Sequence, residues 1–236
     1  MAGTYISPAS ANKLVRLGRR FLATIPAPNL GRWRKLTDGQ LWVDVLGQLA
    51  VAGGAGGGKR LKQRLSGRED EWYTKLSAAP SARASRIHHE LVAAGVRFVA
   101  ANRAASAKTK AALANFNTLQ IAGGPRAFFF QLTHKSEPER ISYMRTNLRY
   151  VKHKGARDLL IGLGAVQDAI ALDVRWKNIL ERVGVTVPEN FQRSRSVYER
   201  LEQEILENVC KPLGVTGAHL DRVFFDDKNY KEIIRC

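Results

Sequence analysis

The sequence predicts an all-α protein, built from many short helices in two lobes. Apolar residues recur at steps of three and four along nearly the whole chain. Strand-like alternation is nearly absent, and helix-start and helix-stop residues punctuate the apolar stripes. Leu14, Leu17, Phe21 and Ile25 form the first stripe. Thr37 and Asp38, both good N-caps, precede the second, made of Trp42, Val45, Leu46 and Leu49. Pro80 and Ser81 open a third, which runs through Ile87, Leu91, Gly95 and Phe98. In the second half Ala156, Leu159, Leu160, Leu163 and Val166 line up, as do Trp176, Ile179, Leu180 and Val183. Tyr198, Leu201, Ile205 and Val209 make the last stripe, closed by Pro212; only Val185 to Val187 reads weakly as strand.

Composition bounds the function. The 236 residues are 44% hydrophobic, which excludes a disordered chain and permits a sizeable core without staples. No apolar run approaches the roughly 18 residues of a membrane span, so no membrane partner is expected. The N-terminus lacks the apolar stretch of a secretory signal, and two cysteines, Cys210 and Cys236, provide no disulfide framework, iron–sulfur site or structural zinc site. A reduced, cytoplasmic protein without metal is the expectation. Lys and Arg number 38 against 21 acids, for a formal charge of +17. The excess is segregated: no carboxylate precedes Asp38, and none lies between Leu91 and Ser136. Segregated positive charge is the footprint of a polyanion binder, with nucleic acid the first candidate.

Several familiar motifs fall away. Gly53 to Arg60 resembles a phosphate-binding loop until Arg60 stands where the magnesium-binding hydroxyl belongs, and the preceding segment is helical rather than a strand. A glycine turn between two helices is the better reading. His88 and His89 are adjacent, so on a helix they point about 100° apart and cannot share a metal. Asp226-Asp227 reads as a solvated helix end, and neither cysteine has a histidine signature nearby.

The informative stretch runs from Leu148 to Trp176. A basic turn, Arg149-Tyr150-Val151-Lys152-His153, leads into an amphipathic helix starting near Lys154, and Asp173 stands nineteen positions later at the start of another. Arg149, Lys152, His153 and Arg157 surround Lys154 in sequence. Neighbouring positive charge favours the neutral amine that nucleophilic attack requires. Asp173, accepting amide hydrogen bonds at a helix start, would stay ionised and stabilise a nearby cation. Amine, carboxylate and cationic turn together suit chemistry at a sugar C1′. Plainer readings stand beside this one: Lys154 as one more phosphate contact, and Asp173 as an ordinary cap.

This stretch resembles the helix-hairpin-helix DNA glycosylase superfamily, in which a hairpin ends at a catalytic lysine and a D-x-[HR] segment follows. Here those are Lys154 and Asp173-Val174-Arg175. The lysine-to-aspartate spacing is similar to that of the eukaryotic-type 8-oxoguanine glycosylase, while other parts look more like the archaeal 8-oxoguanine branch. Asp38-Gly39-Gln40 resembles that branch's D-P-Q, Glu71-Trp72-Tyr73 its H-W-E-Y, and Ala218 to Phe225 part of its G-I-P-P-L-H-L-D-T-L-L-W. The superfamily's hairpin glycines are absent from Tyr150 to His153, the proline usual before the aspartate is absent, and Phe225 stands where the branch has tryptophan.

The resemblance implies a two-lobed glycosylase fold, with residues 41–150 as a central helical lobe and 1–40 plus 155–236 as a terminal lobe. Segment 148–176 would lie at their junction. It implies a bifunctional DNA glycosylase/AP lyase without cofactor, probing double-stranded DNA for an oxidised purine such as 8-oxoguanine and acting as a monomer. Lys154 and Asp173 would be catalytic. Gln40 and Asp221 would read the edge of a flipped base stacked by Trp72 and Phe225. Arg149, Lys152, His153, Arg157, Lys108 and Lys110 would meet the DNA backbone. For Trp72 and Phe225 core packing is the plain alternative, for Gln40 an exposed first-turn position, and for Lys108 and Lys110 a solvated helix face. Gln48 is a thin candidate for filling the gap a flipped base leaves. The rival to the whole reading is a non-catalytic basic helical protein that binds nucleic acid.

Overall fold

The computed structural model describes residues 4–52 and 54–235. They are all-α, and no strand occurs among them. In chain order the helices are α1 (Pro8–Phe21), α2 (Asp38–Ala50), α3 (Ala55–Leu65), α4 (Glu69–Ala78), α5 (Pro80–Ala93), α6 (Ala107–Ile121) and α7 (Pro125–Phe130). Then follow α8 (Glu137–Asn147), α9 (His153–Gly162), α10 (Val174–Arg182) and α11 (Arg195–Ile205). The last of these continues through a π turn, Leu206–Cys210, into α12 (Lys211–Leu213), before α13 (Gly217–Phe225) and α14 (Asp227–Arg235). Among the described residues no helix is long and apolar enough to cross a membrane.

The chain forms two compact units, one spanning Gly31–Leu159 and the other Met1–Leu30 with Leu160–Cys236. The first is organised on α2. Leu41, Trp42, Val45, Leu46 and Leu49 on this helix have essentially no exposed surface, each side chain contributing about 1.5–3 kcal/mol of apolar burial. Thr37 and Gln40 form a capping box at its start: Thr37 Oγ1 accepts from the Gln40 amide at 3.2 Å and Gln40 Oε1 from the Thr37 amide at 3.1 Å. Asp38 Oδ1 accepts from the amide of Arg126 at 2.6 Å, tying in α7. Gly39 lets α4 close in, since a Cβ there would lie 2.4 Å from the carbonyl carbon of Glu69.

The glycine run behaves differently from a simple turn. Gly54 precedes α3 outside the helix, and Gly56, Gly57 and Gly58 lie inside it. A Cβ on Gly58 would come within 2.5 Å of Val51 Cγ1 and 2.9 Å of Gly47 O. The glycines therefore bring α3 close to the C-terminal end of α2. The third stripe also ends earlier than its spacing implies. Gly95, at φ +60°, stops the helix, and Arg60 takes the carbonyls of Ala94 (2.8 Å) and Gly95 (3.0 Å). Phe98 is consequently off the helix, at φ +59° and 78% exposed.

The second unit closes around Leu14, Phe21, Trp176, Tyr198, Leu201, Ile205, Leu220 and Phe224. Gly18 on α1 admits Leu213, whose Cδ1 lies 2.5 Å from where a Cβ would stand. Asp226 ends α13 and accepts the amides of Lys228 and Asn229, which explains the Asp226-Asp227 pair as a helix junction. Cys210 is buried in this core, where burial, with the charges of Asp168 and Asp221, pushes its thiol up to about 12 and makes it inert.

The extended segment before α10 is fastened from three sides. The amide of Ile170 donates to Glu202 Oε1 (2.8 Å), that of Ala171 to Asp221 Oδ1 (3.1 Å), and that of Leu172 to the Tyr198 hydroxyl (2.7 Å). The same hydroxyl donates to Ile170 O at 2.9 Å. Tyr198→Phe keeps the buried ring and removes both bonds. We expect it to cost about 2–4 kcal/mol, read as a lower denaturant midpoint at constant slope.

Candidate active site

A short turn, residues 148–152, joins α8 to α9 as a hairpin and carries no glycine. Capping at Ser136 starts α8, with the Glu139 carboxylate accepting the Ser136 amide at 2.7 Å. The turn that glycine would ordinarily make falls on Tyr150, which adopts φ +63°. Asn115, buried on α6, holds this geometry. Its Oδ1 accepts from the Arg149 amide at 2.7 Å, and its Nδ2 donates to the Arg149 carbonyl at 3.0 Å. Leu148 and Val151 are buried on either side of the turn, while Arg149, Tyr150 and Lys152 face solvent.

Lys154 stands in the first turn of α9, its side chain about a quarter exposed. Its Nζ lies 2.6 Å from Asp158 Oδ2, one helical turn on. The sequence reading of this site missed Asp158; the i, i+4 spacing on a helix was the signal that could have found it. His153 and Arg157 are buried, and Arg157 Nη1 donates to His153 O at 3.2 Å, so both face inward rather than to solvent. Gly155 gives the start of α9 its close seat: a Cβ there would lie 3.2 Å from Gln48 Nε2. Gln48 is thus a buried packing contact.

Lys108 and Lys110 part company. Lys110 is exposed. Lys108 is buried, with Nζ donating to Ala52 O at 2.5 Å and Ala50 O at 3.4 Å. It closes the carbonyl end of α2, where a cation suits the helix dipole, and burial pulls its pKa down. The exposed ring of Phe98 lies over this ammonium, its centroid 5.9 Å away.

Gln40 spends its side-chain oxygen on the capping box of α2. Trp72, on α4, is 9% exposed and stacks on Trp42 with centroids 6.4 Å apart and planes 18° from parallel. These two residues belong to the Gly31–Leu159 unit together with Lys154.

In the other unit the structure gathers Asp173, Asp221 and Phe225 around the start of α10. Asp173 caps the helix, Oδ1 accepting the amides of Arg175 (2.8 Å) and Trp176 (3.2 Å). Asp221 is buried, and its Oδ1 accepts from Trp176 Nε1 at 2.7 Å as well as from the Ala171 amide. Phe225 is 37% exposed at the end of α13. The Arg175 guanidinium lies over its ring at 4.5 Å, donating to Phe225 O at 2.5 Å and Asp227 Oδ1 at 2.7 Å. Arg175 thereby joins the segment that Asp173 caps to the ring of Phe225. Among the described residues no three His, Cys, Asp or Glu side chains are grouped to hold a metal ion.

The all-α architecture is that of several solved structures. It is shared with solved 8-oxoguanine DNA glycosylases. The enzyme of Methanocaldococcus jannaschii superposes with a TM-score of 0.67 at 12% identity, over 91% of each chain. The 8-oxoguanine glycosylase/lyase of the same organism, in complex with a 15mer DNA containing 8-oxoguanine, gives 0.65 at 13% identity, over 91% of this chain and 94% of that one. The 8-oxoguanine DNA glycosylase of Thermotoga maritima gives 0.62 at 14% identity, over 92% and 93%. No protein-family model and no curated protein matches the sequence. At these identities the likeness establishes the fold.

The hairpin's dependence on Asn115 is open to test. Asn115→Leu is close in volume but leaves the Arg149 amide and carbonyl without their partner. It should cost about 2–3 kcal/mol, with amide exchange rising locally at 148–152 in hydrogen-exchange measurements.

Proposed function

We propose that this protein is a DNA glycosylase with AP lyase activity that removes an oxidised purine, 8-oxoguanine foremost, from double-stranded DNA. The observation that carries the reading is Lys154 in the first turn of α9, directly after the 148–152 hairpin, on a fold shared with 8-oxoguanine glycosylases over nine-tenths of the chain. The charge distribution supports it. The unit that holds the hairpin carries 23 Lys and Arg against nine acids, a formal +14 of the chain's +17.

The reaction begins with eversion of the damaged nucleotide, which costs a few kcal/mol of stacking and pairing. Phe225, the exposed one of the two candidate rings, stacks on the base, with Arg175 bracing it from behind. Phe98, which its spacing placed on an apolar helix stripe and which is instead exposed beyond the end of α5, inserts into the vacated stack. As the C1′–N9 bond breaks, its electron pair leaves with the base, and the Asp173 carboxylate stabilises the positive charge left on the sugar. Lys154 leaves its ion pair with Asp158, passes one proton to that carboxylate, and forms the C1′–Nζ bond. Ring opening gives a Schiff base. Loss of a C2′ proton then expels the 3′ phosphate and cuts the strand, and hydrolysis returns the lysine. Arg149, Lys152 and Lys110 hold the backbone. The protein works as a monomer where the DNA is, in the cytoplasm of its cell, and needs no cofactor for these steps.

Borohydride trapping tests the chemistry. With a labelled duplex containing 8-oxoguanine opposite cytosine, wild type should give a covalent adduct and Lys154→Gln none, while Lys154→Gln still binds the duplex. Asp173→Asn keeps the cap and should slow base release by about 10²–10⁴. Tight, salt-sensitive binding with no adduct on either this duplex or an abasic one would leave the non-catalytic nucleic-acid binder as the better reading.

Phe98 is tested separately. Phe98→Ala should slow release of the base about tenfold or more, while trapping at a preformed abasic site, where no base has to be everted, changes less than twofold.

A further inference from the structure

Among the described residues only two besides glycine have positive φ, Phe98 and Tyr150, and both are exposed aromatics. The bulky side chain of a tyrosine makes this conformation costly, and such strain persists only where the surroundings impose it. At Tyr150 the surroundings are explicit. Asn115 clamps Arg149 on one side, and buried Val151 anchors the other. Glycine would make the same turn without strain, so the tyrosine brings to the position something glycine lacks: a ring and a hydroxyl at the tip of the hairpin.

The hairpin tip borders an open groove of about 720 Å³ within the Gly31–Leu159 unit. Thr118, Arg145, Asn147, Arg149, Tyr150 and Lys152 are among its lining residues, three of them cations, and no carboxylate lines it. A groove with cations and neutral donors but no acid suits a phosphodiester backbone.

We infer that Tyr150 itself is a DNA-binding residue, its hydroxyl donating to a non-bridging phosphate oxygen in this groove. This inference rests on the proposed action on DNA, but not on the lysine chemistry. A tyrosine contact differs from those of Arg149 and Lys152 in a measurable way. A neutral donor displaces no counterion, so its loss weakens binding equally at all salt concentrations, whereas loss of each lysine or arginine contact also flattens the salt dependence.

The test uses the full chain and a duplex with a tetrahydrofuran abasic analogue, which the lyase step cannot cut. Binding is measured from 50 to 300 mM salt for wild type, Tyr150→Phe, Tyr150→Gly and Lys152→Gln (about that range to resolve the slope). Tyr150→Phe should bind about threefold to tenfold more weakly with an unchanged salt slope. Lys152→Gln should reduce the slope by about 0.9. Tyr150→Gly, relieved of its strained φ, should melt no lower than wild type and yet bind as weakly as Tyr150→Phe or more so. Wild-type affinity in Tyr150→Phe, or weaker binding that tracks a lower melting temperature, would overturn the inference. A wild type that binds no duplex at all would sink the proposed action on DNA along with it. If trapping fails in wild type but the Tyr150 effect stands, the lyase reading falls and the contact is kept.

Discussion

The structure depends on satisfying backbone polar groups at two places where the chain is neither helix nor strand. Both places immediately precede a candidate catalytic residue. In the hairpin before Lys154, Asn115 takes both the amide and the carbonyl of Arg149. In the extended segment before Asp173, three consecutive amides, those of Ile170, Ala171 and Leu172, go to three different side chains. A buried amide left unpaired costs about as much as several ordinary contacts gain, so each bond is also a geometric constraint. The helices supply bulk stability, and these few buried polar side chains decide where the next helix begins.

This arrangement changes the meaning of residues that resemblance alone assigns to substrate. Asp221 is positioned by the Trp176 indole and spends the same oxygen on Ala171. It therefore shapes the floor beneath Asp173 whether or not it also meets a base. Lys108 illustrates a second kind of reassignment. Its positive charge closes the carbonyl end of a buried helix, so it serves α2 rather than a phosphate. Phe225 remains at the surface with a guanidinium on its ring, an arrangement that keeps an aromatic side chain in one orientation while leaving it available.

Much of the fold was legible because helical periodicity is a local signal. The stripes at Leu14, Trp42, Trp176 and Tyr198 each fall on a helix, with Ile25 and Val183 just past the ends of theirs, and the missing alternation matches the absence of strands among the described residues. The exceptions have local causes too. Gly95 halts α5 before Phe98, and the glycines after Gly54 are helical because α3 must approach Val51 and Gly47. The buttresses were not legible. Asn115 and Arg149 are 34 residues apart, Tyr198 and Leu172 are 26, and Asp221 and Ala171 are 50. No spacing rule reaches that far, and nothing in the types Asn, Tyr and Asp says which distant amide each will take. Asp158 is the opposite case, a partner of Lys154 only four residues away that charge arithmetic around the lysine overlooked.

Shared architecture at 12–14% identity is intelligible in the same terms. A helix bundle tolerates exchange of one apolar residue for another as long as volume and pattern are kept. A hairpin has less freedom, because its backbone must turn through a conformation that glycine adopts at no cost. This chain solves the turn with a tyrosine and an asparagine clamp instead. The solution exchanges conformational ease for an exposed aromatic at the hairpin tip, within the unit that carries +14 of the formal charge. Loss of the glycine would be a defect if the turn's only task were to bring main-chain amides to the surface. It is a coherent substitution if the side chain takes over that task, since the Asn115 clamp on Arg149 holds the strained turn beside it.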